Sequence, residues 1–189
     1  MTARFTYPAD MSVRVFAALP IPDDTARELK RLQKGVPGAR WRPVENFHIT
    51  LRFFGEVEET RLDDLDGELS SVILPPFPFE LRHASWFGKT DPHTLWMGVD
   101  AGESLQTLHR ACEKAARKVG LKAETRNFTP HVTLAYLHNT PTEKLRRFVD
   151  RTLDYGSGRL MARYFSLYRS FPRRGEANIY EPVSDYPLA

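Results

Sequence analysis

The chain has 189 residues, of which 41% are hydrophobic and 27% charged, with a formal net charge of +3. This composition is typical of a folded domain and excludes a disordered or fibrous protein. The single cysteine excludes an internal disulfide, and the longest apolar run, residues 15–19, is too short to cross a bilayer. Because residues 1–10 also lack the layout of a secretory signal, we expect a cytoplasmic protein with no membrane partner.

Four segments carry helix signals. They cover residues 23–34, 60–72, 104–119 and a segment that starts at 140–143. Asp23 or Asp24 is the expected N-cap of the first helix. Thr60 with Asp63 forms a capping-box pattern for the second helix, and Thr140 is the expected N-cap of the fourth. Cys112 lies on the apolar face of the third helix and is predicted to be core.

Six segments between and around these helices favour strands. They are residues 13–19, 48–54, 77–87, 95–99, 131–136 and 160–168. Residues 13–87 therefore follow the order strand, helix, strand, helix, strand, and residues 95–169 repeat it. The repeat predicts a single domain over residues 1–189, built from two related lobes.

The second predicted strand of each repeat carries the same motif, His-Ile-Thr-Leu at residues 48–51 and His-Val-Thr-Leu at residues 131–134. Alternate side chains of a strand point to opposite faces, so each histidine shares a face with its threonine, and the apolar residues face the other way. One such segment is typical of an ordinary half-buried strand. Two copies in equivalent places favour a pair of facing motifs across a cleft, although duplicated halves can also pack back to back.

Two facing histidines could perform acid-base chemistry on a phosphodiester. Imidazole titrates near neutrality, with an ordinary pKa of about 6.5, so one ring can accept a proton while the other donates one. Threonine hydroxyls can hydrogen-bond the phosphate oxygens, and an arginine can offset their charge. Two histidines with no carboxylate or cysteine at ligand spacing make a poor zinc site, so we predict no metal.

Several arginines are candidates for the offsetting charge, although most are expected to be ordinary surface residues. Those near the motifs or clustered late in the chain are Arg40, Arg42, Arg52, Arg126, Arg169, Arg173 and Arg174.

The residues around both motifs resemble the two-histidine phosphoesterases, and most closely the RNA 2′,3′-cyclic phosphodiesterase branch, also called 2′-5′ RNA ligase. Residues 41–48 (WRPVENFH) and 50–55 (TLRFFG) are similar to that branch's approach to and exit from its first histidine. The similarity extends over nearly the whole chain. It implies a two-lobed α+β fold, with mixed or antiparallel sheets lining a central cleft and helices outside.

The resemblance also implies the reaction. It is hydrolysis of a terminal RNA 2′,3′-cyclic phosphate to a 2′-phosphate, without metal or other cofactor, by a protein we expect to be monomeric. His131 would be the general base and His48 the general acid, while Thr50 and Thr133 would hold the phosphate. The partner would be RNA or an oligonucleotide with a 2′,3′-cyclic phosphate end.

One position departs from the family pattern. Tyr136 stands where the family usually ends its second motif with an arginine. Arg52, Arg126 or a late arginine could supply the charge instead, or turnover suffers, or the substrate differs. Tyr136 could stack on a base or simply pack at the strand end. Two alternatives therefore stay open: a nucleotide- or RNA-binding module with weak or no catalysis, and 2′-5′ ligation by reversal of the same step.

Overall fold

A computed structural model describes residues 12–189, so the expectation about residues 1–10 lies outside the described residues. Four α-helices are interspersed among nine strands in residues 12–189. The helices are α1 (Asp23–Leu32), α2 (Glu59–Ser70), α3 (Gly102–Lys118) and α4 (Thr142–Arg151). The strands are β1 (Ser12–Pro20), β2 (Ala39–Trp41), β3 (His48–Glu58), β4 (Phe77–Phe87), β5 (Thr94–Asp100), β6 (His131–Leu137), β7 (Leu160–Ala162), β8 (Tyr164–Phe171) and β9 (Ile179–Pro187).

The strands form a curled sheet in which every pairing is antiparallel. Its order is β7-β4-β5-β6-β3-β1-β8-β9, and β2 pairs with β6 from outside this path. The strands that carry the two motifs, β3 and β6, are therefore neighbours at the centre of the sheet. This arrangement confirms the predicted α+β class.

Each half of the sheet combines strands from both predicted repeats. On one side of the centre, β3 and β1 from residues 13–87 are extended by β8, which belongs to residues 95–169. On the other side, β6 and β5 from residues 95–169 are extended by β4. The two repeats thus exchange their last strands, and this exchange ties the halves together. A duplication as the origin of the pattern stays a prediction.

The helices cover the face of the sheet opposite the motif histidines. Ile49 and Val132, the middle residues of the two motifs, are both 0% exposed and join the apolar core. The buried faces of α2 and α3 meet this core, and Cys112 is buried there as predicted. Within residues 12–189, no helix combines the length and apolar character needed to cross a membrane.

The helix segments are confirmed, but the three predicted side-chain caps are wrong. Helix α1 begins at Asp23 itself, and α2 begins one residue before Thr60; neither helix has a side-chain cap. Helix α4 begins at Thr142, because the hydroxyl of Thr140 donates to the carbonyl of Pro37 instead (3.0 Å). Thr140 therefore fixes the loop before β2, and Pro141 occupies the N-cap position.

Strands β2 and β9 were not predicted from the sequence, and one predicted strand is two strands in the structure. The segment 160–168 splits into β7 and β8, which lie in opposite halves of the sheet. Strand β9 contains Pro182, which is tolerated because β9 is an edge strand and β8 shows a register shift opposite it. Strand β2 has only three residues, too few to show alternation.

Candidate active site

The two His-x-Thr motifs meet where Ile49 pairs with Val132. Paired residues of neighbouring strands point to the same face of a sheet, and here that face is the buried one. The residues on either side of each must point to the opposite face. All four polar motif residues (His48, Thr50, His131 and Thr133) therefore share one surface, as the sequence predicts.

The ring of His131 is held by its own strand and by two aromatic residues. Nδ1 lies 2.7 Å from the carbonyl oxygen of Thr129. A carbonyl can only accept, so Nδ1 carries the proton and the neutral ring presents its lone pair at Nε2. Phe87 packs edge-on at 5.0 Å between ring centroids, and Trp96 lies at 6.0 Å. These contacts fix both the tautomer and the orientation of the imidazole.

His48 is held in the same way but lies deeper. Nδ1 donates to the carbonyl oxygen of Asn46 (2.9 Å), again two residues earlier in the chain. Nε2 lies 3.1 Å from the hydroxyl oxygen of Thr50, which donates to it when the ring is neutral. Phe16 packs at 4.9 Å from the His48 ring, and Tyr180 packs edge-on at 5.3 Å. The two histidines therefore present the same nitrogen, Nε2, to the shared surface.

Both imidazoles favour the neutral form. Burial lowers the pKa of His48 to about 4; the bond to Asn46 opposes this shift, while the charges of Arg42 and His131 add to it. Burial also lowers the pKa of His131, against the opposing effect of its bond to Thr129. The charge of His131 affects the pKa of His48 because the two residues lie on neighbouring strands.

A cleft of about 580 Å³ opens over this surface. It is lined by Thr50, Thr133, His131 and Tyr136. His48 is not among the lining residues; Phe16 and Tyr180 pack against its ring. His109, whose ring stacks on Phe128 at 4.1 Å, also lines the cleft.

Arg52 and Arg126 also line the cleft, but both bind carboxylates. Arg52 is 6% exposed; its Nε donates to Glu113 (2.6 Å) and its Nη2 to the carbonyl of Lys122 (2.5 Å). Arg126 is exposed and binds Glu124, and that bond is the main reason that the pKa of Glu124 falls to about 2. A role for either arginine in phosphate binding stays a prediction.

Arg42 is a second buried arginine near the motifs. It is 7% exposed, and its guanidinium carbon lies 5.0 Å from the centre of the Tyr136 ring. Its charge also acts on the hydroxyl of Tyr180, which packs against His48. The sequence indicates an arginine near the first motif but not its burial. That burial depends on the pairing of the short strand β2 with β6.

Several residues around the histidines were not identified from the sequence as site residues. Tyr180 belongs to β9, whose proline concealed the strand, and Phe16 has the pattern of an ordinary core residue. Asn46 gives no side-chain signal for this contact, because its main-chain carbonyl is what orients the His48 ring. Its side-chain amide donates to the carbonyl of Asn178 (2.8 Å), which joins the first motif to the approach of β9.

Within residues 12–189, no three side chains from His, Cys, Asp or Glu come together as a metal site would need. This observation does not test whether the reaction uses a metal, so metal independence stays a prediction.

The chain matches the 2′-5′ RNA ligase superfamily over residues 21–160, which is more than half of its length. It belongs to this superfamily. The match includes both His-x-Thr motifs and ends before β8 and β9, which supply Tyr168 and Tyr180 beside His48.

Curated members of the superfamily cover much of the chain. A protein of Methanocaldococcus jannaschii named RNA 2′,3′-cyclic phosphodiesterase is 26% identical over 181 residues, which is 92% of this chain and 100% of that protein. One of Thermotoga maritima with the same name is 28% identical over 147 residues, 73% of this chain and 78% of that one. One of Aeropyrum pernix is 40% identical over 93 residues, about half of either chain (48% and 53%).

Solved structures share the fold. The crystal structure of E. coli LigT complexed with 3′-AMP has a TM-score of 0.77 at 22% identity, covering 94% of this chain and 99% of that one. A Thermus thermophilus protein has a TM-score of 0.74 at 19% identity, covering 93% and 97%. At these identities the likeness shows the fold alone. It agrees with the expected α+β architecture of the superfamily.

Proposed function

We propose that this protein is an RNA 2′,3′-cyclic phosphodiesterase that opens the terminal cyclic phosphate to a 2′-phosphate with its paired histidines. The observation that carries the proposal is the Ile49–Val132 pairing, which brings both His-x-Thr motifs to one polar surface under a cleft. The names of the curated relatives support the same activity.

His131 is assigned the activation of water. Its Nδ1–H is bound to Thr129, so the neutral ring offers Nε2 to the cleft, and its lowered pKa keeps that nitrogen unprotonated near neutral pH. In the proposed step, Nε2 takes a proton from water while the water oxygen forms a bond to phosphorus. A general base in this state needs no prior deprotonation.

His48 is assigned the opposite task. As the bond from phosphorus to the 3′ oxygen breaks, protonated His48 donates its Nε2 proton to that oxygen, which leaves as a hydroxyl. The low pKa of His48 describes the site without a phosphate. A bound phosphate anion near the ring favours the protonated form and raises this pKa, so substrate binding prepares the acid.

Thr50 and Thr133 are assigned to the phosphate oxygens. Both line the cleft on the same face as the histidines. When His48 is protonated, its Nε2 no longer accepts from the Thr50 hydroxyl, and that hydroxyl is free to donate to an oxygen of the substrate. Protonation of the acid and binding of the phosphate therefore favour each other.

The test is incubation with an oligonucleotide that ends in a 2′,3′-cyclic phosphate, in the presence and absence of EDTA. We expect a 2′-phosphate product, equal rates with and without the chelator, and loss of product with either His48→Ala or His131→Ala. Absence of product from the folded wild-type protein would overturn the proposal. Loss of activity with EDTA would overturn only its metal independence.

A binding module is the second candidate, and Tyr136 is the feature that favours it. A tyrosine cannot supply a positive charge to the phosphate, so chemistry at this site could be inefficient. Tight binding of a 2′-phosphorylated nucleotide with negligible turnover would support this reading, and rapid hydrolysis would exclude it. Ligation of 2′-phosphate and 5′-hydroxyl ends uses the same groups in reverse, so measured equilibrium and rates must separate it from hydrolysis.

A further inference from the structure

Burial of Arg42 needs a physical explanation, because a buried charge without a partner of opposite charge destabilises a protein. The other buried arginine beside the motifs, Arg52, has Glu113 as its partner. Among the ion pairs of residues 12–189, none involves Arg42. Its Nη2 is fully buried and has no hydrogen-bond partner within this part of the chain.

The main chain holds Arg42 firmly beside the second motif. Its N–H donates to the carbonyl of Leu134 (2.9 Å), one residue after Thr133. Its own carbonyl accepts from the side-chain amide of Gln33 (2.8 Å), which also donates to Leu134 (3.2 Å). Helix α1 therefore locks this residue to β6. Nothing in this arrangement requires a charged side chain.

The side chain lies near the first histidine. The Tyr136 ring lies against the guanidinium at one side (5.0 Å), and the charge of Arg42 acts on the Tyr180 hydroxyl. Tyr180 in turn contacts the ring of His48, and the charge of Arg42 lowers the pKa of that ring. Tyr136 is 45% exposed and lines the cleft, whereas Arg42 is not among the lining residues, so the cation contacts a cleft residue and not the open cleft itself.

We propose that Arg42 supplies the positive charge that stabilises the bound phosphate group, with Tyr136 as its stacking platform and Tyr180 beside the guanidinium. This inference rests on the proposed function. An anion bound here would give Arg42 the partner that the protein lacks. It would also screen His48 from the Arg42 charge, so that the acid gains its proton as the substrate arrives.

The assignment accounts for Tyr136, which stands where the second motif of the family usually ends in arginine. The charge comes instead from Arg42, the residue that follows β2. Tyr136 is then a positioning residue that acts through Arg42, since an aromatic face stabilises a guanidinium placed over it.

The test compares Arg42→Met and Arg42→Lys with Arg146→Met, a control that removes the same charge from the exposed face of α4. The probes are adenosine 2′-monophosphate and inorganic phosphate, titrated by calorimetry, and kcat/KM on the cyclic phosphate. We expect Arg42→Met to weaken binding of both probes at least tenfold and to lower kcat/KM by about 10²–10³-fold, as for loss of one charge-stabilising donor. Arg42→Lys should retain most of the binding, and Arg146→Met should resemble the wild type.

Two further readouts separate this role from a structural one. In Arg42→Met the His48 pKa, followed by NMR, should rise, and the unfolding temperature should stay unchanged or increase because an unpaired buried charge is gone. Arg42→Met/Tyr136→Arg should regain phosphate binding. Unchanged binding and kcat/KM in folded Arg42→Met would overturn the assignment while leaving the proposed function intact. An inactive wild type that still binds phosphate through Arg42 would overturn the function alone.

Discussion

Ile49 lies directly opposite Val132, and both are completely buried. Since side chains alternate along a strand, a shift of either strand by one residue would turn its histidine and threonine into the core. The apolar middle residue of each motif is therefore what aligns the polar ones. The two motifs work as a pair because they share a register as well as a composition.

The first prediction concerns the two histidines. Replacing either His48 or His131 by alanine should lower kcat by about 10²–10⁴-fold, the usual contribution of a general acid or base. The double variant should be little slower than either single one, because the two groups act in one step. His138→Ala, an exposed histidine outside the cleft, is the control. The measurement is steady-state kinetics on the cyclic phosphate. Full activity in either single variant would contradict the assignment.

The pH dependence should differ between kcat/KM and kcat. In the free enzyme the pKa of His48 is about 4 and that of His131 is lowered. One ring must be protonated and the other neutral, so kcat/KM should follow a bell with its maximum below pH 6.5. A bound phosphate raises both pKa values, so the kcat bell should lie at higher pH. Coinciding profiles would show that the anion does not act on the histidines.

The division between acid and base can be tested with a 4-nitrophenyl phosphodiester, whose leaving group needs little protonation. If His48 is the acid, His48→Ala should lose much less activity on this ester than on the cyclic phosphate, whereas His131→Ala should lose activity on both. The opposite pattern would exchange the two roles and leave the pairing intact.

The sequence predicts the centre of this molecule better than its periphery. Both motif strands and the orientation of their side chains follow from a period of two, which is strong where one face is buried. The cap predicted at Thr140 fails because its hydroxyl donates to the distant carbonyl of Pro37 instead. Strand β9 was not predicted because it contains Pro182, and proline is tolerated mainly in edge strands. The sequence alone does not show that this strand lies at an edge.

The same limits apply to the site. His48 and Thr50 are visible as a local pattern, whereas the burial of Arg42 arises from a three-residue strand and the glutamine that follows α1. Its approach to Tyr136 depends on the pairing of β2 with β6. Contacts of this kind join residues about a hundred positions apart, and no local pattern specifies them.

Protonation of His48 should destabilise the fold in acid. Its folded pKa of about 4 lies below the ordinary value of 6.5, so between these limits the unfolded chain binds the proton more readily. This contribution to stability is present above pH 6.5 and is lost as the pH falls toward 4. Between pH 7 and pH 4.5 it amounts to about 2 kcal/mol, taking 1.36 kcal/mol per pKa unit.

The measurement is urea unfolding of wild type and His48→Asn at several pH values. The asparagine amide can still donate to the carbonyl of Asn46 but does not titrate. We expect the wild type to lose more free energy of unfolding than the variant between pH 7 and pH 4.5. Parallel pH dependences would show that His48 is not held neutral by the fold.

Arg52 should matter more for stability than Arg42 does. Its Nε donates a hydrogen bond to Glu113. Burial alone would raise the pKa of the Glu113 carboxyl, but the hydrogen bonds from Arg117 and Arg52 outweigh this effect and lower it. Replacing Arg52 by methionine should cost about 3 kcal/mol, the lower end for a broken buried pair, because Glu113 keeps its second partner. Arg117→Met removes that exposed partner and should cost less than about 1 kcal/mol.

Urea unfolding measures both changes, and phosphate binding by the folded Arg52→Met protein tests the other role foreseen for this residue. If the role of Arg52 is structural, Arg52→Met should lose much of its stability, while its affinity for adenosine 2′-monophosphate should stay nearly unchanged. Arg52→Met/Glu113→Gln should recover part of the stability, because the largely buried carboxylate that has lost its buried partner is then removed as well. Lost affinity in a variant of normal stability would instead make Arg52 a phosphate ligand, and Arg42 would then share the anion with it.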